Sequence, residues 1–319
     1  MNIILKRIKK IMRAGCSNIL RFLNSVLSYF EIVLSSANDN LRKHPPIFII
    51  GAPRSGSTLL YQVLTDYYDF GYLSNIHCRF WGAPSWVERI FHPLRWRKQS
   101  DFTSTHGRTS GLTAPSECGA YWYRFFRRFP QYVPLNEADP KKMKRLRQSL
   151  NKLAQSFNRP VLFKNNFCSL RLQPIYKFIP ESLFIFIKRD LEENALSLLN
   201  VRKSVHGRYD QWWSMEPPAI EKLKNMEPCQ QVVEQAKHIN SLIKYDSSKI
   251  GIDRFIEIEY SEFCNDVHGQ LSRINCFLKR YEVKIIKRTS KIPNQFTEKE
   301  EFNMSEELIQ KVHDYANKI

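Results

Sequence analysis

The stretch 47-IFIIGAPRSGSTLL-60 decides the fold, because it has the pattern of a buried strand followed by a glycine-containing loop and a helix. Residues 47–50 form a short apolar run, which is typical of a central parallel strand. Gly51 and Gly56 free the backbone for a tight turn, and apolar residues at helical spacing begin at Leu59. Such a loop points several N–H groups and the positive end of a helix dipole at one place, so it predicts a site for a phosphate or sulfate group.

The residues of this loop discriminate between kinds of nucleotide. A Walker A loop has the pattern GxxxxGK[ST], in which the lysine contacts the terminal phosphates and the hydroxyl binds magnesium. Here the spacing from Gly51 to Gly56 matches, but Ser57 stands in place of the lysine, and Arg54 is the only cation inside the loop. The kinase or NTPase interpretation therefore loses its main support, and a P-loop kinase or NTPase with a modified loop is kept as the alternative.

A second anion signal lies in 183-LFIFIKRDLEENALSLL-199. An apolar strand delivers Arg189 at its carboxyl end, where open α/β sheets bind ligands, and Ser197 follows in the next helix. A guanidinium and a hydroxyl suit a phosphate dianion. The alternation of strands and helices through this region predicts an α/β fold with a parallel sheet and right-handed crossovers.

The loop PRSGST and the later strand–Arg–Asp–(x)6–Ser pattern together resemble the 5′-phosphosulfate and 3′-phosphate motifs of sulfotransferases, in particular the bacterial-type branch of the P-loop-like sulfotransferases. These enzymes use 3′-phosphoadenosine 5′-phosphosulfate (PAPS) as donor. The resemblance covers roughly residues 45–315, and it is dense only at the two anion motifs. It implies a three-layer sulfotransferase domain over residues 45–319, with a central parallel sheet flanked by helices. Residues 1–44 are predicted, from the spacing of their apolar residues, to form an amphipathic helical extension before this domain. The donor-binding residues that the resemblance implies in the two motifs are Arg54, Ser55, Gly56, Ser57, Thr58, Arg189 and Ser197.

Two later segments extend the resemblance. The segment 255-FIEIEYSEF-263 is similar to a strand of the family that ends in tyrosine, which implies that Tyr260 lies near the adenine. The segment 287-KRTSKIPNQF-296 resembles the late basic loop that closes over the 3′-phosphate, with Arg288 and Lys291 as candidates. This segment departs from the family pattern, because the usual glycine of the loop is missing.

The segment 160-PVLFKNN-166 resembles the family's strand that ends in lysine, which implies that Lys164 lies near the transferring sulfuryl group. In cytosolic sulfotransferases the residue two positions later is a histidine that serves as the base. Here that residue is Asn166, which cannot remove a proton. Another group must therefore take the proton from the acceptor.

The predicted base is Glu117, because the stretch 106-HGRTSGLTAPSEC-118 resembles the Pro-x-Glu segment of the bacterial-type branch. The resemblance thus implies in-line sulfuryl transfer with Glu117, Arg54 and Lys164 as catalytic residues. The alternative for Glu117 is an acid favoured at the start of a helix simply by the helix dipole. His106 and His77 are the fallback bases. Because protein cations replace magnesium in this scheme, we predict no metal requirement.

The composition limits the partners and the compartment. The net charge of +18 and the pI near 9.6 favour acidic partners, namely a nucleotide, an anionic membrane, a polyanionic glycan or a nucleic acid. No nucleic-acid motif accompanies basic blocks such as 141-KKMKRLR-147, so we predict no nucleic-acid partner and expect a small-molecule or glycan acceptor, with a hydroxyl on a carbohydrate or glycolipid. A basic, non-catalytic protein that binds any polyanion is the third interpretation.

The seven scattered cysteines include no CxxC pair, which predicts reduced thiols, a cytoplasmic setting and no zinc site.

The N-terminal segment combines basic residues with an apolar stretch from Ile19 to Leu34. Arg21 and Glu31 interrupt the stretch and no cleavage site follows it, so the sequence predicts neither a signal peptide nor a transmembrane helix. The near-helical spacing of the apolar residues predicts one or two amphipathic helices. Two interpretations of residues 1–35 are open: they pack on the catalytic domain, or they contact the anionic inner face of a membrane.

Overall fold

A computed structural model of the chain describes residues 18–31, 39–91, 99–288, 291–297, 302 and 304–318. In these residues a five-stranded sheet has the strand order β2-β3-β1-β4-β5. The strands are β1 (Pro46–Ile50), β2 (Gly71–Tyr72), β3 (Val161–Lys164), β4 (Leu183–Lys188) and β5 (Phe255–Glu259). The helices are α1 (18–31), α2 (Asn40–Lys43), α3 (Ser57–Tyr67), α4 (Asn75–Arg79), α5 (Pro84–Phe91), α6 (Gly119–Trp122), α7 (Pro140–Phe157), α8 (Leu172–Phe178), α9 (Leu191–His206), α10 (Ile220–Leu223), α11 (Pro228–Ile250), α12 (Tyr260–Asn265), α13 (Val267–Lys279) and α14 (Glu306–Asn317).

The sheet is parallel throughout, and β1 lies at its centre. Ile47 pairs with Leu162 of β3 on one side and with Leu183 of β4 on the other. Every residue of β1 is buried, because helices cover both faces of the sheet. The carboxyl ends of β1, β3 and β4 therefore meet at one edge, and the loops that follow them are neighbours.

Two apolar cores lie on opposite faces of the sheet. Phe48 and Ile50 point into a core that includes residues of α7, α8, α9 and α11. Ile47 and Ile49 point to the other side, into a core with residues of α3, α12 and α13. The predicted three-layer α/β architecture with a central parallel sheet is confirmed.

Two helical segments are interrupted. Helix α6 does not begin at Ser116, because Cys118 adopts a left-handed backbone conformation (φ 47°) directly before it. Helices α10 and α11 are separate elements, with residues 224–227 between them. Pro228 occupies the first turn of α11, where the absent N–H of proline is not needed.

Helix α1 is the described part of the predicted N-terminal extension, and residues 1–17 and 32–38 lie outside the described residues. It contacts the domain through polar residues, since Asn24 and Glu31 are fully buried, whereas Ile19, Leu23 and Val26 are exposed. Helix α1 thus packs on the domain, as one of the two open interpretations has it, but Ile19, Leu23 and Val26 do not make the contact. Within the described ranges, no helix has both the length and the apolar character needed to cross a membrane.

Candidate active site

A cleft of about 1040 Å³ lies at the carboxyl edge of the sheet. Its floor is formed by the loop after β1, the end of β3 and the residue that follows β4. Its walls come from the segments around 101–109, 116–120 and 293–297. Arg54 and Arg189 both line this cleft. The two predicted anion motifs therefore face the same space.

The loop after β1 has the features of an anion site. Arg54 adopts a left-handed backbone conformation (φ 69°), which is uncommon for a residue with a side chain and occurs often at functional sites. Gly56 precedes α3 with φ 88°, and a Cβ added there would lie 2.1 Å from Cδ2 of Tyr260, so only glycine fits. Among the described residues, no side chain caps α3, and the buried hydroxyl of Ser55 has no hydrogen-bond partner.

Helix α9 holds this loop in place. Arg54 Nε donates to Ser197 Oγ at 2.8 Å, and Asn194 Nδ2 donates to the carbonyl of Pro53 at 3.0 Å. Asn194 and Ser197 are three residues apart and so lie on one face of the helix. Ser197, which the sequence paired with Arg189, thus links the second motif to the first through Arg54.

Arg189 directly follows β4 and lines the cleft, and its side chain is only 3% exposed. Its Nε donates to Glu193 Oε2 at 3.2 Å, and its guanidinium lies 4.8 Å from the centre of the Tyr260 ring. Because Tyr260 also contacts the Gly56 position, it fills the space between the two motifs.

The end of β3 carries a buried ion pair at the cleft wall. Lys164 Nζ donates to Glu117 Oε1, and the lysine side chain is 2% exposed while that of Glu117 is 30% exposed. The backbone carbonyl of Glu117 accepts from Asn165 Nδ2 at 3.1 Å and from Trp122 Nε1 at 3.2 Å. The carboxylate is therefore positioned by buried groups and open to the cleft on one side.

Asn166, which stands where a histidine base was expected, has a different contact. Its Oδ1 accepts from Ser57 Oγ at 3.3 Å, so it connects the segment after β3 to the start of α3. Thr58 lines the cleft next to this contact. No local sequence pattern indicates this link between the two segments.

Sequence reasoning also missed Gly107. A Cβ added to it would lie 3.5 Å from Thr58 Oγ1, 3.6 Å from Glu117 Oε1 and 3.8 Å from Lys164 Nζ. The turn that contains Gly107 therefore lies against the ion pair. The positive φ of 84° at Gly107 favours glycine, and the dipeptide His106–Gly107 was the available signal for this turn.

The two fallback histidines have different positions. His106 lines the cleft, and burial, together with the charges of Arg54 and Arg108, lowers its pKa. His77 is buried between Ser74, whose Oγ lies 2.7 Å from Nδ1, and Glu88, whose Oε2 lies 3.4 Å from Nε2. These contacts hold His77 in the packing between α4 and α5.

The late basic segment is placed differently from the prediction. The backbone N–H of Arg288 donates to the carbonyl of Tyr67 at 2.8 Å, and its Nη1 donates to that of Thr65 at 3.4 Å, so Arg288 lies beside the end of α3 and not in the lining of the cleft. The same segment instead contributes Phe296, whose ring contacts Phe102 edge to face at 5.4 Å. Order along the chain does not determine which side of an aperiodic segment faces a site.

Comparisons with known proteins identify a family. The model of the sulfotransferase family matches residues 45–280. Two proteins named omega-hydroxy-beta-dihydromenaquinone-9 sulfotransferase Stf3, from Mycobacterium bovis and Mycobacterium tuberculosis, are each 24% identical over 281 residues, which is 80% of this chain and 68% of the relative. The crystal structure of sulfotransferase STF9 from Mycobacterium avium shares 14% identity with a TM-score of 0.49, over 86% of this chain and 68% of that chain. Since the family model spans well over half of the sequence, this chain belongs to the sulfotransferase family.

Proposed function

We propose that this protein transfers a sulfuryl group from PAPS to a hydroxyl of a carbohydrate or lipid acceptor. The observation that carries this proposal is that Arg54 and Arg189 line one cleft, at the ends of the neighbouring strands β1 and β4. A bisphosphorylated adenosine has an anion at each end, whereas ATP has no 3′-phosphate. The family membership also favours this proposal over the kinase or NTPase alternative.

The residues of the cleft fit such a donor. Arg54, the buried unpartnered hydroxyl of Ser55 and the uncapped first turn of α3 would hold the 5′ end. Arg189 would hold the 3′-phosphate, and Tyr260 would lie near the adenine. When bound, the donor supplies a sulfuryl group whose sulfur–oxygen bond to the 5′-phosphate breaks as the acceptor oxygen bonds to sulfur.

The chain's own residues would move one proton and stabilise charge. Glu117 would take the proton of the acceptor hydroxyl on a carboxylate oxygen, a role for which its partial exposure to the cleft suits it. Lys164 holds this carboxylate and brings a positive charge to the same wall. Together with Arg54, it would stabilise negative charge that develops on the reacting groups. In this proposal protein cations do the work of magnesium, so no metal is required.

The cleft also has space and apolar surface for an acceptor. The cleft volume of about 1040 Å³ is at the upper end of ordinary ligand sites, which leaves space beside a nucleotide. Apolar side chains of Ala120, Phe167 and Trp213 line it. The similar Stf3 proteins are named for a menaquinone-derived acceptor, so we propose a glycolipid or another lipid-linked hydroxyl.

The test compares Glu117→Gln with His106→Gln, because both side chains line the cleft. Transfer of labelled sulfate from PAPS to a panel of glycolipids and lipid alcohols, in EDTA, should fall by about 10²–10⁴ in Glu117→Gln and change little in His106→Gln. Calorimetry should find 3′,5′-adenosine bisphosphate bound by both variants with nearly the wild-type Kd.

Two outcomes would contradict parts of the proposal. The reverse pattern, with activity lost only in His106→Gln, would make His106 the base. If the protein binds Mg·ATP but not the bisphosphate, the donor assignment is wrong.

A further inference from the structure

On helix α1, polar residues face the domain and apolar residues face outward, which is the reverse of the usual arrangement for a helix on a protein surface. The residues that face the domain include the buried Asn24 and Glu31. Six large apolar residues on the rest of the helix are between 37% and 73% exposed, and we call them the outward face: Ile19, Phe22, Leu23, Val26, Tyr29 and Phe30. Contiguous apolar surface of this kind usually marks a site of interaction.

The contacts of Asn24 fix the first half of the helix. Its Oδ1 accepts from the N–H of Gly82 at 2.7 Å, and its Nδ2 donates to the carbonyl of Arg79 at 3.1 Å. A Cβ added to Gly82 would lie 2.0 Å from the carbonyl oxygen of Asn24, so the two backbones approach closely. The helix is seated on the domain at this point.

The contacts of Glu31 fix the other end. Its carboxylate accepts from the N–H of Ser85 at 3.1 Å, from the Ser85 hydroxyl at 2.8 Å and from Arg124 Nη2 at 3.2 Å. Turning α1 to bury the outward face would leave Arg124, 6% exposed, without this carboxylate. Such a buried unpaired charge is strongly destabilising, so the apolar residues stay outside.

The exposed charges of α1 and of the helices that it contacts are all of one sign. The exposed charged residues of the described parts of α1, α4 and α5 are Arg21, Arg79 and Arg89, whereas the acids of these helices, Glu31 and Glu88, are buried. Ile90 and Phe91, at the end of α5, are also exposed. A second copy of the chain would oppose arginines to arginines.

We propose that the outward face docks this protein on an anionic lipid bilayer. Apolar side chains would enter the boundary between headgroups and acyl chains, and the three arginines would contact lipid phosphates. The same helix α4 that ends at Arg79 contributes Asn75 and Cys78 to the cleft, so docking brings one cleft wall close to the lipids.

The test is flotation of the full chain with vesicles of phosphatidylcholine containing phosphatidylglycerol. The double variant that carries both Phe22→Gln and Phe30→Gln should have a vesicle partition coefficient about 100-fold lower than the wild type, at about 10-fold for each phenylalanine. The double variant that carries both Ile252→Gln and Ile286→Gln is the matched control, because these isoleucines are 77% and 71% exposed but lie outside the outward face. The control should bind vesicles like the wild type.

A second pair of variants tests the charge. Arg21→Gln with Arg89→Gln should lower binding to the anionic vesicles about 10-fold or more and leave binding to pure phosphatidylcholine unchanged. Unchanged circular dichroism and an unchanged Kd for 3′,5′-adenosine bisphosphate would show that each variant is folded.

The proposal is overturned if the phenylalanine variant floats like the wild type, or if the isoleucine control loses binding equally. It is also overturned if the wild type does not float. A dimer in sedimentation that the phenylalanine variant lacks would then make a second copy the occupant. None of these results depends on sulfuryl transfer.

Discussion

The cleft wall and the contact between α1 and the domain both contain a buried charged pair, but the two pairs differ in their surroundings. In the contact of α1, Glu31 is enclosed and accepts hydrogen bonds from Ser85 as well as from Arg124. At the cleft wall, Lys164 is equally buried, but its partner Glu117 is 30% exposed to the cleft. An enclosed pair stabilises a packing arrangement, whereas a pair with one open side can change partners when a ligand arrives.

The largest effect should be on stability at the enclosed pair. Glu31→Ala leaves the guanidinium of Arg124 buried without its carboxylate, so we expect the free energy of unfolding to fall by about 3–5 kcal/mol. Urea denaturation measures it. Glu137→Ala is the control, because Glu137 pairs with Arg127 at the surface and should cost less than about 1 kcal/mol. Equal losses in the two variants would remove the distinction between the pairs.

The next effect should be on turnover at the open pair. Lys164→Ala should lower kcat by about 10²–10³, the scale of losing one preorganised charge donor. Its stability should change little, because Glu117 can be hydrated from the cleft. Lys188→Ala is the control, since Lys188 also ends a strand and pairs with carboxylates, those of Glu257 and Glu259, but does not line the cleft. If both variants turn over at the wild-type rate, Lys164 has only a structural role.

A smaller effect is expected on nucleotide affinity, and it distinguishes the 3′ end of the donor site from the 5′ end. Arg189→Ala should raise the Kd of 3′,5′-adenosine bisphosphate about 10–100-fold, because a hydrogen bond to a charged group contributes about 1.5–3 kcal/mol. Adenosine 5′-monophosphate, which has no 3′-phosphate, should bind nearly unchanged. The control is Arg254→Ala, whose guanidinium also lies over a tyrosine, Tyr281, but outside the cleft. Equal weakening for both nucleotides would contradict the 3′-phosphate assignment.

The sequence predicted the floor of the cleft and one wall residue, Glu117, but not how the walls are assembled, for a physical reason. Parallel strands bring their carboxyl ends together, so the positions of Arg54, Lys164 and Arg189 follow from the order of elements. The walls are aperiodic segments joined by contacts between distant parts of the chain. No local pattern showed that Gly107 would lie against Glu117, or that Arg288 would lie beside the end of α3.

For α1, the spacing of apolar residues predicted the helix but not the side that is buried. The hydrophobic effect is not directional, so periodicity alone identifies a face without saying what covers it. The partners of Asn24 and Glu31 come from Gly82, Ser85 and Arg124, which are far away in sequence. Specific hydrogen bonds between distant residues decided the orientation.

Asp246 tests whether a buried carboxylate marks a functional site by itself. It lies in α11, outside the cleft, and accepts from Gln173 Nε2 at 2.7 Å; burial raises its pKa to about 6. A raised pKa means that the fold favours the protonated acid, so this contribution to stability is present below about pH 4 and is lost as the pH rises through 6. Asp246→Asn, which cannot ionise, should therefore be more stable than the wild type at pH 8, by about 1–2 kcal/mol, and the difference should vanish below pH 4.

Thermal unfolding across this pH range, with the exposed Asp314→Asn as control, measures the difference. A gain that does not depend on pH would mean that packing, not ionisation, is responsible. If the gain appears at pH 8 and kcat is unchanged, burial of a carboxylate is a matter of stability alone at this position. The functional assignment of Glu117 would then rest on its opening to the cleft and its pairing with Lys164, the two features that Asp246 does not have.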